Sequence, residues 1–202
     1  MRIIGGTAAG LLLKVPKGFE VRPTPDLVKQ ALFNSLGGRV VEATVLELFA
    51  GTGALGLECL SRGALHLTCV EKAGRHARII KENLEAIHLD PARLELRVHD
   101  AFAAISQLAD AGRQFDLILA DPPWGEKNTG RRSTSFTQQL LDDSRLPRLL
   151  AKDGVFVLGH TKRDTLSIPS GWQESKMLKH GDSVMRFLKT AEAQGPILDS
   201  PP

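Results

Sequence analysis

The chain has 202 residues, 42% of them hydrophobic and 24% charged, with a formal net charge of +3. That length suits one α/β domain with a sizeable core and a small appendage. No apolar run approaches the roughly 18 residues of a membrane helix, no signal-peptide stretch opens the chain, and so small a positive charge admits a polyanionic partner without requiring one.

Residues 1–24 read as two short strands, near 2–5 and 10–15, around a glycine-rich turn. They are too short for a core of their own and are expected to project as an arm. Pro25-Asp26 opens a helix that reaches Leu36 and closes on Gly37-Gly38. Strands at 44–49, 66–71, 93–98 and 115–120 then alternate with helices at 54–62, 73–88 and 101–110. After a polar loop, 125–135, come a helix at 136–151, a strand at 154–159 and a late pair at 171–179 and 182–189. The alternation predicts a mostly parallel sheet covered on both faces, a Rossmann-like α/β fold spanning 25–189. The late pair suits an antiparallel hairpin, and 190–202 reads as a disordered tail. Cys59 and Cys69 fall in a helix and a strand without metal-ligand spacing, and the six histidines are scattered. They imply a reducing, cytoplasmic compartment and no metal site.

Asp121-Pro122-Pro123-Trp124 follows the apolar strand Phe115–Ala120. The prolines fix φ and remove two donors, so the chain leaves the sheet in a rigid turn. An acceptor and a π-face then stand together at the carboxyl edge, where open α/β sheets bind ligands. That pairing suits a planar amine such as the exocyclic NH2 of a nucleobase; alternatively, Trp124 caps the core.

Val45-Leu-Glu-Leu-Phe-Ala-Gly-Thr-Gly-Ala-Leu-Gly56 is a strand, a glycine turn and a helix start. Gly51, Gly53 and Gly56 fit G-x-G-x-x-G, which taken alone would equally suit NAD and an oxidoreductase. Glu47, four residues before Gly51, and Phe49 point elsewhere. S-adenosylmethionine has no pyrophosphate but carries an ammonium and a sulfonium, which an acid beside the loop suits. Glu71, about 20 residues past the glycines, stands where an acid binds ribose hydroxyls. Otherwise both acids make only local hydrogen bonds.

Glu47–Glu58, Ser61-Arg-Gly-Ala64 and Asp121–Trp124 resemble the RsmD family, as do Met1-Arg-Ile-Ile-Gly-Gly6, Arg22-Pro-Thr-Pro-Asp26 and Ala31-Leu-Phe-Asn34. The family usually has Asp where Glu47 stands and Phe or Tyr where Trp124 stands. The resemblance covers roughly residues 1–189. It implies a seven-stranded S-adenosylmethionine-dependent methyltransferase that modifies N2 of a guanine in bacterial 16S ribosomal RNA, position 966 in the usual RNA numbering. It also implies adenine contacts at Asp100 and Ala101, although Asp100 reads equally as a helix N-cap. An adenine-N6 methyltransferase shares the Asp-Pro-Pro-aromatic turn; the Arg-Ile-Ile-Gly-Gly opening favours the guanine enzyme. The expected partner is 16S RNA or a small-subunit assembly particle, met by a monomer. Arg2, Lys14, Arg22 and Thr24 on one side, and Lys127, Arg131 and Arg132 on the other, are candidate RNA contacts. A solvated basic face is the plainer alternative.

Overall fold

The expected strands pair into one seven-stranded sheet. The computed structural model describes residues 1–16, 25–124 and 132–191. Its strands are β1 (Thr44–Leu48), β2 (His66–Glu71), β3 (Leu94–Val98), β4 (Phe115–Ala120), β5 (Leu150–Thr161), β6 (Trp172–His180) and β7 (Ser183–Thr190). Its helices are α1 (Asp26–Leu36), α2 (Ala54–Ser61), α3 (Gly74–Ala86), α4 (Ala101–Asp110) and α5 (Phe136–Asp142). The strand order is β3-β2-β1-β4-β5-β7-β6. The first five strands are parallel, and β7 runs antiparallel to both of its neighbours.

Parallel strands joined by helices are covered on both faces, so β1 and β4 are buried along nearly their whole length. The pleat still divides their side chains. Val45, Leu67, Leu117, Leu119 and Val157 pack with α1, α2 and α3. Leu46, Leu48, Ile118, Ala120 and Leu158 pack with α4 and α5. Trp172 seals the second core, its ring 5.2 Å from that of Phe156.

Two expectations are corrected. The helix expected over 136–151 stops at Asp142. The Asp143 carboxylate takes the Arg145 backbone N–H at 2.9 Å and its guanidinium at 2.7 Å, closing a turn. Pro147 then sits in a 3-10 turn, Leu146–Leu149, because it has no N–H to continue an α-helix. The apolar residues after it enter β5.

The N-terminal arm is the second. Residues 1–16 lie on the core, and their hairpin reduces to one antiparallel bridge, Arg2 with Leu12. Ile3, Ala8 and Leu13 are buried in the α1–α3 core. Ser61 on α2 takes the Ala8 N–H at 2.9 Å and donates to the Gly5 carbonyl at 2.7 Å. Asn83 on α3 takes the Lys14 N–H at 2.7 Å and donates to the Lys14 and Thr52 carbonyls, both at 3.1 Å. Lys29 is fully buried: it donates to the Arg2 carbonyl and pairs with Glu58 at 3.5 Å. Burial pushes its pKa below the usual lysine value, against the pull of Glu58 and Asp26. The tail 192–202 lies outside the described residues.

Candidate active site

The sheet register aligns the expected site residues on one edge. Glu71 pairs with Val98, Leu48 with Val70 and Ala120, and Ala120 with Leu158. Asp100, Glu71, Phe49–Gly53 and Asp121 therefore follow the carboxyl ends of four adjacent strands. At about 4.8 Å between strands, that row spans about 14 Å, the scale of a nucleoside joined to an amino acid.

The glycine turn works as its spacing predicts. Gly53 has φ 75°, a left-handed conformation that side chains disfavour, and α2 starts directly after it. Gly56 serves packing: a Cβ there would lie 2.6 Å from Glu47 Oε2 and from Leu67 Cδ1. Phe49 is held at φ 55°, a strain of about 1–3 kcal/mol that clusters at functional sites.

Glu47 does not face outward. Its parity along β1 matches Val45, so its carboxylate lies beneath the turn, 4% exposed. Oε2 accepts from Gly56 N at 3.1 Å and from Cys69 Sγ at 3.4 Å. Burial raises its pKa to about 7; the bonds from Cys69 and the α2 backbone oppose the rise.

Glu71 braces the turn from the other side. Its carboxylate accepts Gly51 N and Ala73 N, each at 2.8 Å, and His76 Nδ1 lies 3.4 Å away. Asp100 caps α4 by accepting Phe102 N at 3.0 Å and Ala103 N at 3.4 Å, as its N-cap reading predicts. Ala101 is buried at the helix start.

Asp121 and Trp124 are half-buried, Pro122 is buried and Pro123 exposed. Beyond β4, His160 stands next to the end of β5 with a tautomer set by its two partners. Arg186 Nε–H donates to its Nε2 at 3.0 Å, which leaves Nδ1–H for the Thr161 carbonyl at 2.8 Å. Burial, then the Arg186 charge, lowers its pKa below the usual histidine value.

Sequence reasoning missed an aromatic group beside this edge. The Phe49 ring lies 5.5 Å from Phe136 and 6.2 Å from Phe102, and those two lie 6.2 Å apart. They come from three segments, so no local spacing signals the cluster; Phe136 is 42% exposed.

Of the candidate RNA contacts, Arg2 pairs with Asp26 at 2.8 Å, Lys14 with Glu82 at 2.9 Å and Arg132 with Asp142 at 2.7 Å, all exposed. Arg22, Thr24, Lys127 and Arg131 lie outside the described residues. Among the described residues no three metal-ligating side chains converge, and no helix is long and apolar enough to cross a membrane.

The family described as conserved hypothetical protein 95 matches this chain over residues 1–189. The chain belongs to that family, the RsmD family. Ribosomal RNA small subunit methyltransferase D of Escherichia coli K12 is 34% identical to it over 196 residues, 96% of this chain and 92% of that protein. A solved structure of a hypothetical protein from Thermus thermophilus superposes with a TM-score of 0.75 at 28% identity, covering 94% of this chain and 99% of that one. SMU.776 complexed with SAH shares the fold at 20% identity and a TM-score of 0.63, covering 81% of this chain and 48% of that one. The RsmD-family sheet described above is the Rossmann-like fold of S-adenosylmethionine-dependent methyltransferases.

Proposed function

We propose that this chain transfers a methyl group from S-adenosylmethionine to the exocyclic N2 amine of a guanine in 16S ribosomal RNA. Kinship with small-subunit ribosomal RNA methyltransferases supports RNA methylation. The observation that carries the finer reading is the Asp121 turn standing in one row with the braced glycine loop, Glu71 and Asp100.

S-adenosylmethionine fits this edge. Glu71 sits beside the Gly51–Gly53 turn, where ribose hydroxyls would share its carboxylate, and Asp100-Ala101 would border the adenine. Glu47 acts through the turn it holds from beneath. The bound cofactor supplies an already electrophilic methyl group. What the protein must do is prepare the amine, whose lone pair is delocalised into the guanine ring. Asp121 and the Pro122 carbonyl accept the two N2 hydrogens, turning the nitrogen toward sp³ and aiming its lone pair. Asp121 then receives the proton that N2 gives up. Trp124 stacks on the base, a contact worth about 1–3 kcal/mol, and Pro123 keeps the turn rigid. Phe49, Phe102 and Phe136 give the pocket an apolar wall that excludes water. Most of the acceleration comes from positioning.

Arg2, Lys14 and Arg132 exchange their exposed carboxylate partners for phosphates, joined by Arg22, Thr24, Lys127 and Arg131. The test uses 16S RNA from a strain lacking the enzyme. Asp121→Ala should abolish methylation while calorimetry shows S-adenosylhomocysteine still bound; Asp121→Asn should keep some activity, since its carbonyl accepts one bond. Normal turnover in Asp121→Ala overturns the mechanism.

A further inference from the structure

We infer that Gly159 is a positioning residue for methyl transfer: the side chain missing from β5 is the space in which the Asp121 carboxylate lies. The inference rests on the role proposed for Asp121. Ala120 pairs with Leu158, so Asp121 and Gly159 are the next neighbours across the two strands. Both continue the parity of Leu119 and Val157, which share the α1–α3 face. A Cβ built on Gly159 would stand 2.9 Å from Asp121 Cγ and 3.3 Å from its Cα, and closer still to Oδ1. The three atoms nearest that Cβ all belong to Asp121.

Nothing in the backbone calls for glycine here. Gly159 lies inside β5, and its φ is not among the positive ones. A glycine within a strand weakens it, through chain entropy and lost packing. Such a residue often marks a place where something else comes close, and in this strand that is the acceptor carboxylate.

The strand cannot easily yield to a methyl group at 159. Gly159 pairs with Met185 and His160 with Val184 on β7. The His160 ring is tied to Arg186 and to the Thr161 carbonyl. Asp121 would yield instead, by rotating its side chain and shifting its backbone by a few tenths of an ångström. A rotamer change at the end of β4 leaves the β4–β5 pairing in place. For transfer to an amine it costs much, because a displacement of about 1 Å at the reacting groups loses on the order of 100-fold in rate. The signature is an intact fold with a misplaced acceptor.

The test measures turnover on 16S RNA, S-adenosylhomocysteine affinity and melting temperature for Gly159→Ala, beside Asp121→Ala and Gly171→Ala. A Cβ at Gly171 meets no atom within 4 Å, so that variant should behave as wild type. Gly159→Ala should lose on the order of 100-fold in kcat, with RNA KM, cofactor affinity and melting temperature unchanged. Gly159→Ala with normal kcat beside an inactive Asp121→Ala overturns this inference alone. Normal turnover in Asp121→Ala brings down the proposed function beneath it. If Gly159→Ala melts early, Asp121→Ala/Gly159→Ala should recover stability by removing the crowded carboxylate; failure to recover it overturns the inference.

Discussion

Replacing Glu47 with glutamine keeps an acceptor for the Gly56 N–H while removing a buried titratable group. Burial moves this carboxyl from its ordinary 4.5 to about 7. At about 1.4 kcal/mol for each tenfold change in proton affinity, that is worth about 3 kcal/mol. The sign follows from linkage. Between pH 4.5 and 7 the folded protein holds a proton that the unfolded chain has released, so stability falls as pH rises. The contribution of the neutral carboxyl is fully present below the unfolded pKa and lost through the folded one. Glutamine has no proton to lose. Glu47→Gln should therefore gain on wild type as pH rises, by on the order of 2–3 kcal/mol between pH 5 and pH 8. For a domain of this size that is roughly 5–10 °C in melting temperature. Urea or thermal melts of both proteins at the two pH values measure it. A gap between the two proteins that stays constant from pH 5 to pH 8 would refute the reasoning.

Other perturbations follow from the same geometry. Glu71→Ala strips acceptors from the Gly51 and Ala73 N–H groups; with bonds to a charged acceptor worth about 1.5–3 kcal/mol, S-adenosylhomocysteine affinity by calorimetry should fall at least tenfold, and an unchanged affinity removes Glu71 from the site. Arg2→Ala and Lys14→Ala break exposed ion pairs, so each should cost stability less than about 1 kcal/mol. Each should also flatten the salt dependence of RNA binding by about one ion, and unaltered slopes would exclude these residues from the interface. Deleting residues 1–14 removes Ile3, Ala8 and Leu13 from the core, so the melting temperature should collapse; a truncated protein that melts like wild type would show that this packing contributes nothing.

The fold was readable because its strongest signals are local. The central parallel strands are short, mostly apolar runs, the edge strand β3 alternates, and Pro25, Gly53 and Gly37 mark helix boundaries within a few residues. The Asp121 turn and the glycine loop were readable for the same reason. The direction of the Glu47 side chain depends on which face α2 covers, and only the assembled sheet decides that. Lys29 carried a usable hint: it lies three, four and seven residues before Leu32, Phe33 and Leu36, on the apolar face of α1. The N-terminal segment misled because its anchors are single side chains on distant helices, Ser61 and Asn83. The early stop of α5 turned on Asp143 bonding its own neighbours, a preference that propensity alone underweights. Gly159 and the phenylalanine cluster come from neighbours across strands and loops, which one strand's spacing does not encode.

The proposed chemistry predicts one product. Purified enzyme, S-adenosylmethionine and 16S RNA from a strain lacking the activity, followed by nucleoside digestion and mass spectrometry, should yield N2-methylguanosine, and none with Asp121→Ala. N6-methyladenosine in its place, or no methylated nucleoside from RNA or assembly particles, would contradict the account.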